Sequence, residues 1–223
     1  MRRRMWIIWG VCGLAVFTAF SVGMVARAGY ESAPYKVVES AGNIEIREYP
    51  DLILASTNSR FAARGNDGSF MKLFQYISGS NAAGDKIEMT TPVFMEPDTS
   101  DSPGRMGFVM PQQIASAGAP APRSADVSIR TRTGGRFAVI RFSGVMDTKK
   151  ADAQEQQLRE WLKSRGLEAE GVAERAGYDP PFTPGPLRRN EVLIRLKSTA
   201  AEAPAEPAAA PSVEAVSEEG DGN

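Results

Sequence analysis

The chain has 223 residues, enough for one domain with tails, and its 26 basic and 27 acidic side chains leave a formal net charge of −1 with no histidine at all. The missing imidazole excludes histidine zinc sites, Ser-His and Cys-His nucleophile pairs and a histidine ligand to iron. The single cysteine, Cys12, lies in an apolar leader, so the rest of the chain has neither disulfide nor thiolate chemistry, and the body lacks the clustered Lys and Arg of a nucleic-acid footprint.

Residues 1–28 read as a signal peptide or an N-terminal membrane anchor. Arg2, Arg3 and Arg4 precede a nearly unbroken apolar run over 6–25, and Ala26-Arg27-Ala28 offers small residues at the positions a signal peptidase inspects. The run is long for a signal and close to the roughly 20 residues that span a bilayer. Cleaved or retained, the segment places the body in the periplasm or another extracytoplasmic space, since basic residues stay inside. If it is uncleaved, the membrane is a partner.

The body, 29–197, alternates strand and helix patterns. Ile44 and Ile46 alternate with Glu45 and Arg47, and Tyr49-Pro50-Asp51 turns into Leu52-Ile53-Leu54-Ala55. Asn66-Asp67-Gly68-Ser69 is turn and capping chemistry. Phe70, Leu73, Phe74 and Ile77 follow at the spacing of one helical face, with Gly79 as the stop. Strand-like runs over 86–95 and 105–110 complete the first half, and a Pro/Ala/Ser-rich linker follows at 111–124.

The second half repeats that order. Val127 and Ile129 alternate with polar residues, Thr133-Gly134-Gly135 turns, and a strand runs from Phe137 to Phe142. A helix is predicted over 149–165 with Leu158, Trp161 and Leu162 on one face and Gly166 beyond it, then strands over 170–178 and 190–197. Each half therefore reads strand, strand, helix, strand, strand, an α+β pattern with two helices outside a curved antiparallel sheet or barrel. Residues 198–223 form an acidic Ala/Glu/Pro tail without aromatics, which predicts disorder.

Four stretches in order carry a family likeness: Glu45-Ile46-Arg47-Glu48-Tyr49; Tyr76-Ile77-Ser78-Gly79-Ser80-Asn81; Lys86-Ile87-Glu88-Met89-Thr90-Thr91-Pro92-Val93; and Gly177-Tyr178-Asp179-Pro180-Pro181-Phe182 continuing to Arg188-Arg189-Asn190-Glu191-Val192. In these the chain resembles the SOUL/haem-binding family over roughly residues 35–197. The resemblance implies a duplicated β-β-α-β-β unit forming a distorted antiparallel β-barrel with two flanking helices. It also implies a binding protein for haem or another tetrapyrrole, held non-covalently, rather than an enzyme. The family is similar in turn to bacterial effector-binding domains that hold small hydrophobic cations, which is the alternative.

Haem needs an apolar cleft and groups that receive its carboxylates. Phe70, Met71 and Phe74 on the first helix, with Met89 on the following run, are the apolar candidates. Spacing alone equally makes Phe70, Phe74 and Ile77 a core face; the resemblance is what places a ligand there. Positions that are basic in animal members read Asp67, Gln75 and Thr183 here. Arg60, Arg64, Arg188 and Arg189 are the substitutes at hand, each of which also reads as a solvated arginine. With no histidine, iron ligation falls to Met, Tyr or water. Glu191, among Val192, Ile194 and Leu196, either points inward as counter-charge to a cationic ligand or pairs with Arg188 or Arg189 at a strand edge. Asp179-Pro180-Pro181 reads as a rigid turn.

Overall fold

The computed structural model describes residues 29–60, 67–100, 102–180 and 182–197. The leader, the tail, Arg64, Asn66 and Pro181 lie outside the described residues. The elements in chain order are β1 (Glu31–Ser32), β2 (Lys36–Ala41), β3 (Ile44–Tyr49), β4 (Leu52–Asn58), α1 (Ser69–Ile77), β5 (Thr90–Thr91), β6 (Val93–Glu96) and β7 (Arg105–Val109). Then come α2 (Gln112–Ala117), β8 (Ser128–Arg132), β9 (Gly135–Ser143), α3 (Thr148–Ser164), β10 (Ala169–Gly177), a 3-10 turn (Gly185–Leu187) and β11 (Arg189–Leu196).

Nine strands form one sheet in the order β2-β3-β9-β11-β10-β6-β7-β4-β8, with every neighbouring pair antiparallel; β1 and β5 form a separate short parallel pair. Exchanging β3 with β8, β4 with β9, β6 with β10 and β7 with β11 reverses the order of the eight strands they make up. The duplication is thus a pseudo-twofold axis between β10 and β6. The first strand of each half crosses over: β3 pairs with β9, and β8 pairs with β4.

The fold class is α+β with helices flanking an antiparallel sheet, but the expected barrel does not close: β2 and β8 end the ladder. The physical reason lies in the two crossovers. Pro50-Asp51 links β3 to β4, and Thr133-Gly134 links β8 to β9, yet neither linked pair shares hydrogen bonds. The two links lie side by side, with the Gly134 amide donating to Asp51 Oδ1 at 2.7 Å. A Cβ at Gly134 would collide with the Tyr49 carbonyl oxygen, so the approach needs glycine. Covalent links and their packing bring the halves together where a ladder would have sealed a barrel.

Strand alternation divides the core into an inner cluster and two outer ones. Tyr49, Leu52, Leu54, Phe94, Val109, Phe137, Val139 and Leu193 pack on the inner face. On the outer face α3 covers Ile44, Ile46, Ala138, Ile140, Val192 and Ile194 with Leu158 and Leu162. The other helix, α1, covers Ala55, Met106 and Phe108 with Leu73, Tyr76 and Ile77.

The long helix α3 starts and stops as its sequence directs. The side chain of Asp147 accepts the Lys150 amide at 2.8 Å at the start of α3. At its end Leu167 N donates to Leu162 O and Gly166 N to Lys163 O, with Gly166 at φ 65°, a Schellman arrangement. Three details depart from the sequence expectations. The run 86–95 is not one strand: residues 86–89 are irregular, and Pro92, which lacks a donor, separates β5 from β6 across a cis Thr91–Pro92 bond. The linker 111–124 holds the short helix α2. Strands β1 and β2 precede the first strand that alternation marks.

Candidate functional site

The nine residues of α1 pack against β4 and β7, and their buried side is Ser69, Leu73, Tyr76 and Ile77. At 100° per residue this leaves Phe70, Phe74 and Met71 in succession around the adjoining side. Phe70 is half-buried, its ring 5.2 Å from Phe108 and stacked on Phe74 at 6.2 Å and 13°. Phe74 is 44% exposed and Met71 is 53% exposed. The helical spacing that put Phe74 on the core face is therefore corrected: Tyr76, which that spacing skipped, takes the buried position. Met89 is half-buried against the same outer cluster as Phe70, on the irregular stretch before β5 rather than on a strand.

The start of α1 is organised by Asp67. Its carboxylate accepts from the amides of Ser69 at 3.0 Å and Arg60 at 2.7 Å and from the Ser59 hydroxyl at 3.2 Å. Partial burial works against ionisation here, but the hydrogen bonds from Ser69, Arg60 and Ser59 prevail and hold the carboxyl down to about 2. Asp67 is thus a structural anion rather than a replacement for a basic ligand contact. Beyond Gln75, about 100° around the helix from Met71, Lys72 is the cation, its ammonium 3.0 Å from Asp126. Gln75 is exposed on the same helix.

Glu191, Arg189 and Arg188 are not brought to this helix. They stand at the opposite face of the sheet, on β11 and just before it. Glu191 is fully buried on a central strand paired with both β10 and β9, so the expected strand-edge setting is corrected. Its carboxylate takes both terminal nitrogens of Arg47 at 2.8 and 3.0 Å, Nη2 and Nε of Arg189 at 2.6 and 3.0 Å, and the Tyr178 hydroxyl at 2.8 Å. The Nε of Arg188 donates to the Thr183 carbonyl at 2.7 Å. Arg47 also reaches Glu45 at 2.7 Å and Tyr49 Oη at 3.1 Å, and lies 4.2 Å over the Tyr35 ring. Arg189 lies 3.9 Å over Tyr178.

Burial favours the neutral form of Glu191, but the two guanidiniums outweigh it and keep the carboxyl below its ordinary range. Burial likewise opposes the charge on Arg47, and Glu191 more than offsets it. Tyr49 is pushed up to about 12 by burial, against the pull of Arg47. By register the pseudo-twofold axis relates Arg47, opposite Phe137 on β9, to Arg130, opposite Leu54 on β4, and relates Tyr49 to Arg132, the last residue of β8. Arg132 is also buried, 4.3 Å over Phe137 and 4.5 Å over Phe94, and pairs with Glu174 at 2.7 Å. Sequence reading missed both arginines, since alternation on a half-buried strand places a charged residue toward solvent; the curl of the sheet encloses that side as well.

Inner ion pairs and two flanking helices on a pseudo-twofold sheet define a duplicated α+β module, with exposed apolar side chains on the outer side of α1 and also at Phe182 and Leu187 ahead of β11. The family of SOUL heme-binding proteins matches residues 30–195, and the chain belongs to it. It is 32% identical over 128 residues to "Heme-binding protein 1" of Bos taurus, and 36% identical over 131 residues to the protein of the same name of Mus musculus. Each match covers 55% of this chain and about two thirds of the relative, 66% and 67%. In fold it is similar to the C-terminal domain of EcmrR, with a TM-score of 0.51 at 11% identity, covering 74% of this chain and 99% of that one.

Proposed function

We propose that the chain binds haem or another tetrapyrrole non-covalently on the outer side of α1, as a carrier or buffer of its ligand rather than a catalyst. The observation that carries this reading is the exposure of Phe74 and Met71 beside half-buried Phe70, in a chain of the SOUL family. An aromatic and thioether surface suits a planar apolar macrocycle, and Lys72, the one cation in α1, stands further around the helix for a ligand carboxylate. The relatives named for haem binding support the ligand class.

A hydrophobic cation held by Glu191 has less support. That carboxylate already serves two guanidiniums and a phenol, so a cationic ligand would have to displace a buried arginine. The sequence of residues 1–28 supports export or anchoring of the body outside the cytoplasm. Titration of hemin into the purified full chain tests the ligand. A saturable change in the Soret band is expected, and a strictly linear response indistinguishable from free hemin would exclude the reading.

A further inference from the structure

Any iron-bearing ligand on α1 meets a chain without histidine, whose cysteine lies in the leader. The methionines among the described residues are not equivalent. Met106 and Met110 are 5% and 3% exposed, inside the cluster beneath α1, and the Met106 sulfur accepts from the Ser69 hydroxyl at 3.7 Å. Met89 and Met95 are half-buried against that cluster, and Met146 is half-buried ahead of α3. Met71 alone of these is exposed, and it sits three residues before Phe74, the spacing that makes two side chains neighbours on a helix surface, while Phe70 lies on the far side of Phe74 and stacks on it.

Of the other polar side chains in and just before this helix, Gln75 is an exposed neutral amide, a poor ligand to haem iron, and Tyr76, Asp67 and Lys72 have partners. Tyr76 is 1% exposed and its hydroxyl donates to the Pro120 carbonyl at 2.8 Å. Asp67 is held by Ser59, Arg60 and Ser69, and Lys72 is paired with Asp126. A thioether is a competent axial donor to haem iron and raises its reduction potential. It also has three rotatable bonds with which to reach. We propose that Met71 is the protein's axial donor to iron when haem occupies the outer side of α1. This rests on the reading of that side as the tetrapyrrole site, and it assigns Met71 a different task from Phe70 and Phe74: apolar contact holds any tetrapyrrole, whereas Met71 distinguishes the iron-bearing one.

The test is Met71→Leu in the full chain, which keeps volume and apolar character, with hemin and metal-free protoporphyrin IX as probes. Wild type with ferric hemin should show the near-infrared sulfur-to-iron charge-transfer band of thioether ligation. In Met71→Leu the band should vanish, the midpoint potential should fall, and hemin affinity should drop about tenfold while protoporphyrin affinity stays within about twofold. An unchanged hemin spectrum in the variant, or a parallel loss of affinity for both probes, would overturn the assignment while leaving the site intact. If wild type binds neither probe saturably, the site reading fails and the assignment falls with it.

Discussion

Glu191 shows how one carboxylate can be held by its surroundings. It stands at zero exposure between Arg47 and Arg189, with Tyr178 donating to it and Tyr35 and Tyr178 stacked on the guanidiniums. Removing one member of such a set leaves buried charges unpaired, a loss of about 3–5 kcal/mol. Glu191→Gln, which keeps the shape and abolishes the charge, should therefore lower the unfolding free energy measured by denaturant titration by an amount in that range without changing hemin binding by a folded protein. A variant of wild-type stability would show that the network is not held by charge. The type of residue at 191 was legible from its apolar neighbours, and so was Arg189 as a partner. Arg47 was not. It reads as the solvent side of Ile44-Glu45-Ile46-Arg47, because period-two alternation names a face but not whether a second layer encloses it.

At the scale of the element, α1 is both the proposed ligand surface and the piece whose start depends on Asp67. The folded carboxyl ionises at about 2 instead of 3.8, so its contribution is complete above the ordinary value and fades as pH falls from 3.8 toward 2. Asp67→Ala should cost on the order of 1 kcal/mol at neutral pH, as for a lost helix cap, with the exposed setting reducing it. The variant should also lose less stability than wild type between pH 4 and 2, measured by urea unfolding. Equal slopes in that window would show that the carboxylate contributes nothing specific. The helix itself was legible from Phe70, Leu73 and Ile77, and its neighbourhood of Gly68 and Gly79 from turn chemistry. Its rotation was not, since exchanging Tyr76 for Phe74 on the buried side depends on the cluster made by Met106 and Phe108 on the sheet with Ile87 on the irregular stretch before β5.

For the whole molecule, the repeated element order predicted the duplicated architecture and both flanking helices. It could not give the crossing of β3 and β8 into the opposite half, because partner choice comes from tertiary packing rather than from local pattern. The same crossing leaves the sheet open where a barrel was expected. The proposed placement of the body outside the cytoplasm is a separate claim, resting on Arg2 to Arg4 and the apolar run after them. A compartment-sensitive reporter fused after Ala28 should be active only beyond the membrane, and activity in the cytoplasm would reverse the topology.

The central claim is that the outer side of α1 is the tetrapyrrole site, and Phe74→Asp tests it most directly. Because Phe74 is 44% exposed, the substitution sets a charge on the proposed contact surface with little expense to the core. Hemin titrations of the full-length wild type and variant, each paired with a thermal melt, should show at least a tenfold loss of affinity, about 1.4 kcal/mol, in a protein that still melts cooperatively within a few degrees of wild type. Unchanged hemin affinity in a folded Phe74→Asp protein would contradict the account.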